Sequence, residues 1–264
     1  MSSASDSLTL EQARSVDIDA SGLHYRVLNE RVRRAVHEGA SHIVLRNVCG
    51  QRYICAGLVA PGLTVEIYGV PGNDLGIFMD GPTIICHDNA QDGAANTMNS
   101  GTIVVKRDAG DVLGYGMRGG RLFVLGSVGY RVGIHMKEFQ DKKPAIVIGS
   151  KAGNFLGEYM AGGFICVLGL DVPYDEPVVG KYCGTGMHGG VMYVRQPIDE
   201  ALVGKEVGFA DMTDEDVATL SKLVGEFCQM TGIEAQPLME RIEEGEFAKL
   251  YPYTKRPYGN LYSY

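Results

Sequence analysis

Residues 50–196 return again and again to one short pattern, and a chain built this way has few folds open to it. The clearest copy is Gly114-Tyr115-Gly116-Met117-Arg118-Gly119-Gly120, followed by the apolar run Leu122–Leu125. A small residue stands three before a methionine in Gly76/Met79, Ala95/Met98, Gly114/Met117, Gly133/Met136, Gly157/Met160 and Gly184/Met187. A weaker seventh copy is read at Ala56 and Val59. The steps between copies are then 20, 19, 19, 19, 24 and 27 residues. Such fixed-period self-similarity marks a solenoid.

The physics of one turn follows from its residues. A glycine corner allows positive φ or very close backbone approach. A glycine pair comes next, as in Gly162-Gly163 and Gly189-Gly190, and then a short β-branched run such as Ile84–Cys86, Ile103–Val105 or Ile165–Leu168. Short strands flanked by glycine suit a parallel β-helix, in which each coil bonds the next at roughly 4.8 Å. The expected fold is mainly β: a single-stranded right-handed parallel β-helix of about seven coils, with helices at both ends. Seven coils give a rod on the order of 34 Å long. The methionines are expected to stack inside it, because an unbranched thioether fills irregular gaps. The strand runs are continuously apolar rather than alternating, so their outer face is expected to be covered, by the chain's own termini or by another subunit.

The remaining sequence divides into an N-terminal segment, 1–48, and a C-terminal arm, 197–264, around the coils at 49–196. Residues 1–20 are polar and expected to fray. Tyr25, Leu28, Val32 and Val36 predict a helix ended by Gly39, placed to cap the first coil, and His42–Val48 reads as the first strand. Arg31, Arg33 and Arg34 lie off that helix's apolar stripe. They make a solvated face or a contact for an acidic partner. Two coils carry insertions, Lys137–Pro144 and Asp171–Pro177, which in repeat proteins map to loops. The repeat ends after Arg195-Gln196-Pro197. A capping box at Thr213–Asp216 then opens a helix with Val217, Leu220, Val224, Phe227 and Cys228 on one stripe. A second helix starts near Pro237, and the Tyr/Pro tail from Leu250 reads as an extended arm.

A net charge of −8 argues against phosphate-driven nucleic-acid binding. No apolar run reaches the ~18–20 residues that span a bilayer, and no signal peptide is visible, so a cytoplasmic protein is expected. The six cysteines fit no zinc or ferredoxin spacing and read as small apolar core residues. Gly114-x-Gly116-x-x-Gly119 matches the dinucleotide fingerprint in letters. It leads into a strand run instead of a helix, so the match is spurious. Asp74, Asp80, Asp92, Asp108 and Asp111 occupy turns, without the acid cluster of a sugar-cleaving β-helix. His135 and His188 flank methionines in nearby coils, and turn positions account for them better than a metal pair. No catalytic, cofactor-binding or metal-binding residue emerges.

The repeat, together with Asn73–Gly76, Ala152–Gly163 and the ending Leu220–Gly232, resembles the C-terminal β-helix domain of the glutamate synthase large subunit, in a stand-alone form. The resemblance covers the chain from about residue 20. It implies a non-catalytic subunit of an oxidoreductase complex for glutamine amide transfer and reductive glutamate formation. Its expected partners are a class II glutamine amidotransferase and a synthase subunit carrying FMN and an iron–sulfur cluster, with self-association left open. A related repeat in a scaffold component of formylmethanofuran dehydrogenase, and N-methylglutamate synthase, supply the alternative setting.

Overall fold

The computed structural model describes residues 14–253. Strands β1 (Ser15–Asp19), β2 (His42–Cys49), β3 (Thr64–Val70), β4 (Thr83–Cys86), β5 (Thr102–Val105), β6 (Arg121–Val124), β7 (Ala145–Ile148), β8 (Ala161–Val167) and β9 (Gly189–Arg195) lie side by side in chain order, each parallel to the next. The register stacks Ile84, Ile103, Leu122, Ile146, Ile165 and Met192 in one inward column. Single-residue bridges join Ala90, Ala109, Val128, Ala152 and Val179 in a second ladder. This is the parallel β-helix. Its seven corners are separated by about six turns. Met79, Met98, Met117, Met136, Met160 and Met187 are all buried in the interior, as expected of a packing column.

Each corner shares one backbone device. Three residues at alternate positions adopt positive φ, for example Asp74, Gly76 and Phe78 at 61°, 68° and 56°, or Arg131, Gly133 and His135 at 57°, 73° and 55°. The outer two N–H groups donate to the following coil (Asp74 to Asp92 O, 2.9 Å; Phe78 to Asn96 O, 3.0 Å). The middle one donates to the preceding coil (Gly76 to Ile54 O, 2.9 Å). The middle position also faces the core. A Cβ on Gly133 would lie 2.6 Å from Ile165 Cδ1, so both φ and space select glycine there. In the first corner the device falls on Tyr53, Cys55 and Gly57. The Ala56/Val59 alignment is therefore one residue late: Cys55 and Leu58 are the buried pair, and Val59 is 70% exposed. A thiol side chain at the middle position hid the register.

The outer face of β5–β9 is covered by the chain itself. Helix α2 (Asp214–Thr231) and helix α3 (Gln236–Glu243) pack on it and form a second core. There Val104, Phe123, Val147, Cys166 and Tyr193 meet Leu220, Val224, Phe227 and Leu238, with Phe123 and Phe227 edge-to-face at 5.9 Å. Burial on both faces explains the missing alternation in the sequence. The predicted capping box is formed by Thr213 and Asp216, and Gly232 ends α2 in the left-handed conformation.

The two ends differ from expectation. Residues 15–19 do not fray; as β1 they pair with β2, making His42–Cys49 the second strand. Val16 and Ile18 supply the alternation that places β1 on the sheet. Helix α1 (Tyr25–His37) crosses between these strands, buries Leu28, Val32 and Ala35 in the core, and ties to the first corner through Asn29 Nδ2 to Arg52 O (3.1 Å) and Arg33 to Ala56 O (2.6 Å). It caps that coil, while Arg31 and Arg34 remain exposed. At the other end the repeat persists past Pro197, because Val203 bridges Cys183 in parallel and Val207 packs into the core. Strand β11 (Phe247–Pro252) then runs antiparallel between β9 and β10 (Val207–Ala210). The start of the extended arm is thus a sheet strand on its own chain, and the rest of the Tyr/Pro tail, from 254, lies outside the described residues.

Candidate functional site

The helices leave the outer face of β1–β4 uncovered, and a polar cluster sits there. Glu66 on β3 accepts from His42 Nε2 (2.9 Å), His87 Nε2 (2.7 Å) and Tyr68 Oη (3.1 Å), while Ser15 Oγ lies 3.0 Å from His42 Nδ1. Tyr68 stacks on His87 at 4.3 Å, and Arg46, paired with Asp17, lies over the Tyr68 ring. The His87 hydrogen bond, with those from His42 and Tyr68, holds the Glu66 carboxyl below its ordinary range against the opposing effect of partial burial. A carboxylate saturated by three donors is an acceptor already in use. The arrangement ties β1, β2 and β3 to the turn after β4. The sequence singles out none of these groups; the signal for Glu66 was a lone acid in an apolar strand run.

A second feature runs along the corners, where the third positive-φ residue of a corner, and Tyr115 beside Gly116, project outward. Tyr115, His135 and Tyr159 form a ladder there, with His135 stacked on Tyr159 at 5.3 Å and Tyr115 edge-on to His135 at 5.8 Å. With Thr97, Arg118, Lys137 and His188 they line a groove of about 330 Å³. Gly116 and Ala161 leave it open. His135 and His188 therefore do share one site, and the ring of Tyr159 occupies the rung between them. Arg118 and Lys137 went unnoticed in the sequence. Their signal was the column four residues after the middle corner position: Asp80, Asn99, Arg118, Lys137, Ala161 and His188.

The other candidates have structural explanations. Asp92 accepts from Asp111 N (2.9 Å), Asp108 from Ser127 N (2.7 Å) and Asp111 from Tyr130 N (3.0 Å), so the turn aspartates lace one coil to the next. The insertion 171–177 is held by buried Arg195, whose guanidinium donates to Val172 O (2.7 Å), Pro173 O (3.0 Å) and Glu176 O (2.9 Å). The insertion 137–144 closes on itself through a Phe139–Lys142 bridge and leaves the Phe139 ring largely exposed. Five cysteines are buried and Cys49 is exposed, all of them free thiols. Burial pushes Cys55 and Cys183 up to about 12 and Cys86 to about 11, which keeps them protonated and unreactive. Among the described residues no group of three or more His, Cys, Asp or Glu is placed to hold a metal ion. No helix among them is long and apolar enough to cross a membrane.

Alternating left-handed positions are the mark of a particular corner, and the family described as the GXGXG motif matches residues 23–253. The chain belongs to the GXGXG family. The glycines of that name fall on positive-φ positions here, as at Gly114-x-Gly116 and Gly184-x-Gly186. An uncharacterized protein of Methanocaldococcus jannaschii is 46% identical over 252 residues, covering 94% of this chain and 96% of that one. Ferredoxin-dependent glutamate synthase 2 of Synechocystis is 31% identical over 144 residues, which is 50% of this GXGXG chain but 8% of the synthase. The chloroplast ferredoxin-dependent glutamate synthase of Spinacia oleracea is 28% identical over 171 residues, 64% of this chain and 9% of that enzyme. The GXGXG chain is thus homologous, at low identity, to a region spanning under a tenth of these synthases.

Proposed function

We propose that this GXGXG chain is a non-catalytic structural subunit of a glutamate synthase-type oxidoreductase. In this reading it holds a class II glutamine amidotransferase and an FMN- and iron–sulfur-bearing synthase subunit in register, in the cytoplasm. One observation supports it most: the homologous region of the synthases is, in this chain, a rod whose interior is filled by stacked aliphatic and methionine side chains. A filled rod with each coil bonded to its neighbours resists bending and so suits a spacer. The helices over β5–β9 and the polar cluster over β1–β4 give partners distinct surfaces along the rod.

Affinity purification of the chain from its native cell tests this. The expected result is co-purification of FMN, iron–sulfur protein and an amidotransferase. Recovery with a pterin–metal enzyme instead would move the assignment to a formylmethanofuran dehydrogenase-type complex. Glutaminase activity or glutamate formation by the isolated chain would overturn the spacer role.

A further inference from the structure

The corner groove carries charge that nothing among the described residues balances. Arg118 and Lys137 occupy the same position in adjacent coils, joined through Lys137 N to Met117 O (3.0 Å) in the rung ladder. Coil spacing brings them within roughly 5 Å of register. Both are half-buried, and among the described residues neither side chain has an ion pair, hydrogen bond or ring contact. Other half-buried cations have partners: carboxylates in Arg121–Glu226, Arg241–Glu246 and Lys249–Asp216, and the Met230 and Thr231 carbonyls for Lys106. Among the described residues no carboxylate lines the groove. Like charges on neighbouring rungs repel, so the fold alone gives no reason to place them together.

The shape is made by absences. Gly116 and Ala161 stand where neighbouring coils carry larger side chains, His135 and Lys137 among them. His188 lines the same groove, with its Nδ1 3.2 Å from Gly186 O. A planar guanidinium and an ammonium around an open floor, beside Tyr115 and His188, match the donor set for an oxyanion.

We propose that this groove is a binding site for a small anionic ligand, its phosphate or carboxylate group held by Arg118 and Lys137. The test is calorimetric titration of the full chain at low ionic strength with three probes: inorganic phosphate, adenosine monophosphate and succinate. Saturable binding of one of them is expected, and the preferred probe tells phosphate from carboxylate. Arg118→Gln and Lys137→Gln should each weaken it about tenfold, the loss of one charged hydrogen bond. Gly116→Tyr should abolish it with both charges intact. That variant is compatible with the fold, because Tyr159 and His135 sit at the equivalent positive-φ position, and an added Cβ meets only Thr97 Oγ1 at 3.7 Å. No saturation by about 10 mM of any probe, or equal binding by the Arg118→Gln/Lys137→Gln double variant, would overturn the assignment.

Discussion

Gly114 and Gly116 stand two residues apart in one corner, with φ of 63° and 55°. They share a backbone but not their surroundings, which separates strain from space. Alanine at either site incurs about 1–2 kcal/mol for a side chain in the left-handed region. At Gly116 nothing further is added. At Gly114 the new Cβ would lie 2.6 Å from Ile146 Cδ1, in a core where Ile146 and Met117 are fully buried. Overpacking of this kind adds about 1–3 kcal/mol. Gly116→Ala should therefore lose about 1–2 kcal/mol and Gly114→Ala about 2–5 kcal/mol. Ile146→Val removes the clashing atom and alone costs about 0.5–1.5 kcal/mol. Combined with Gly114→Ala it should recover about 1–2 kcal/mol relative to the sum of the singles. Urea unfolding followed by far-ultraviolet circular dichroism and tyrosine emission reads this directly, since the chain has 14 tyrosines and no tryptophan. Equal midpoints for the two alanine variants, or strict additivity with Ile146→Val, would refute the argument that the interior dictates the middle glycine.

Three further outcomes follow from the same packing. Val104→Lys places a charge in the core beneath α2 and should destabilise the monomer by at least about 3 kcal/mol, visible as a lowered urea midpoint; an unchanged midpoint would mean the helices do not seal that face. For Asp216, burial raises the carboxyl pKa but is outweighed by Lys249, Thr213 and Tyr193, leaving it well below the ordinary range. A depressed folded value makes its stabilisation fully present above about pH 4 and progressively lost as pH falls below that, so Asp216→Asn should be less stable at pH 7 and lose less on acidification. Iodoacetamide on the native chain should add a single group, at Cys49, with the other five thiols labelled only after unfolding; mass spectrometry that finds Cys55 or Cys183 modified in the folded state would contradict their burial.

Much of this was legible in the sequence because a repeat multiplies its own signal. Six methionines at one offset announced the interior column, and Thr213 with Asp216 announced the start of α2. What escaped was set by long-range pairing or by one-off substitution. Strand β1 is five residues with only Val16 and Ile18 to mark it, and its partner β2 lies beyond a helix. Strand β11 carries Lys249 and Pro252, residues unfavourable in a strand read alone, and is fixed by pairing on both sides. Cys55 at the middle position shifted the first coil by one. At the groove, Arg118 and Lys137 looked like ordinary surface cations because a sequence does not show which charges lack a partner.

Strand β11 runs against β9, whereas every earlier neighbour in the sheet runs with its predecessor. That reversal acts as a terminator. The edge of β9 that would accept another parallel layer is taken up by β11 of the same chain, which β10 covers in turn. A second copy therefore finds no free edge on β9 itself, and the number of coils stacked in one molecule is set by its own sequence.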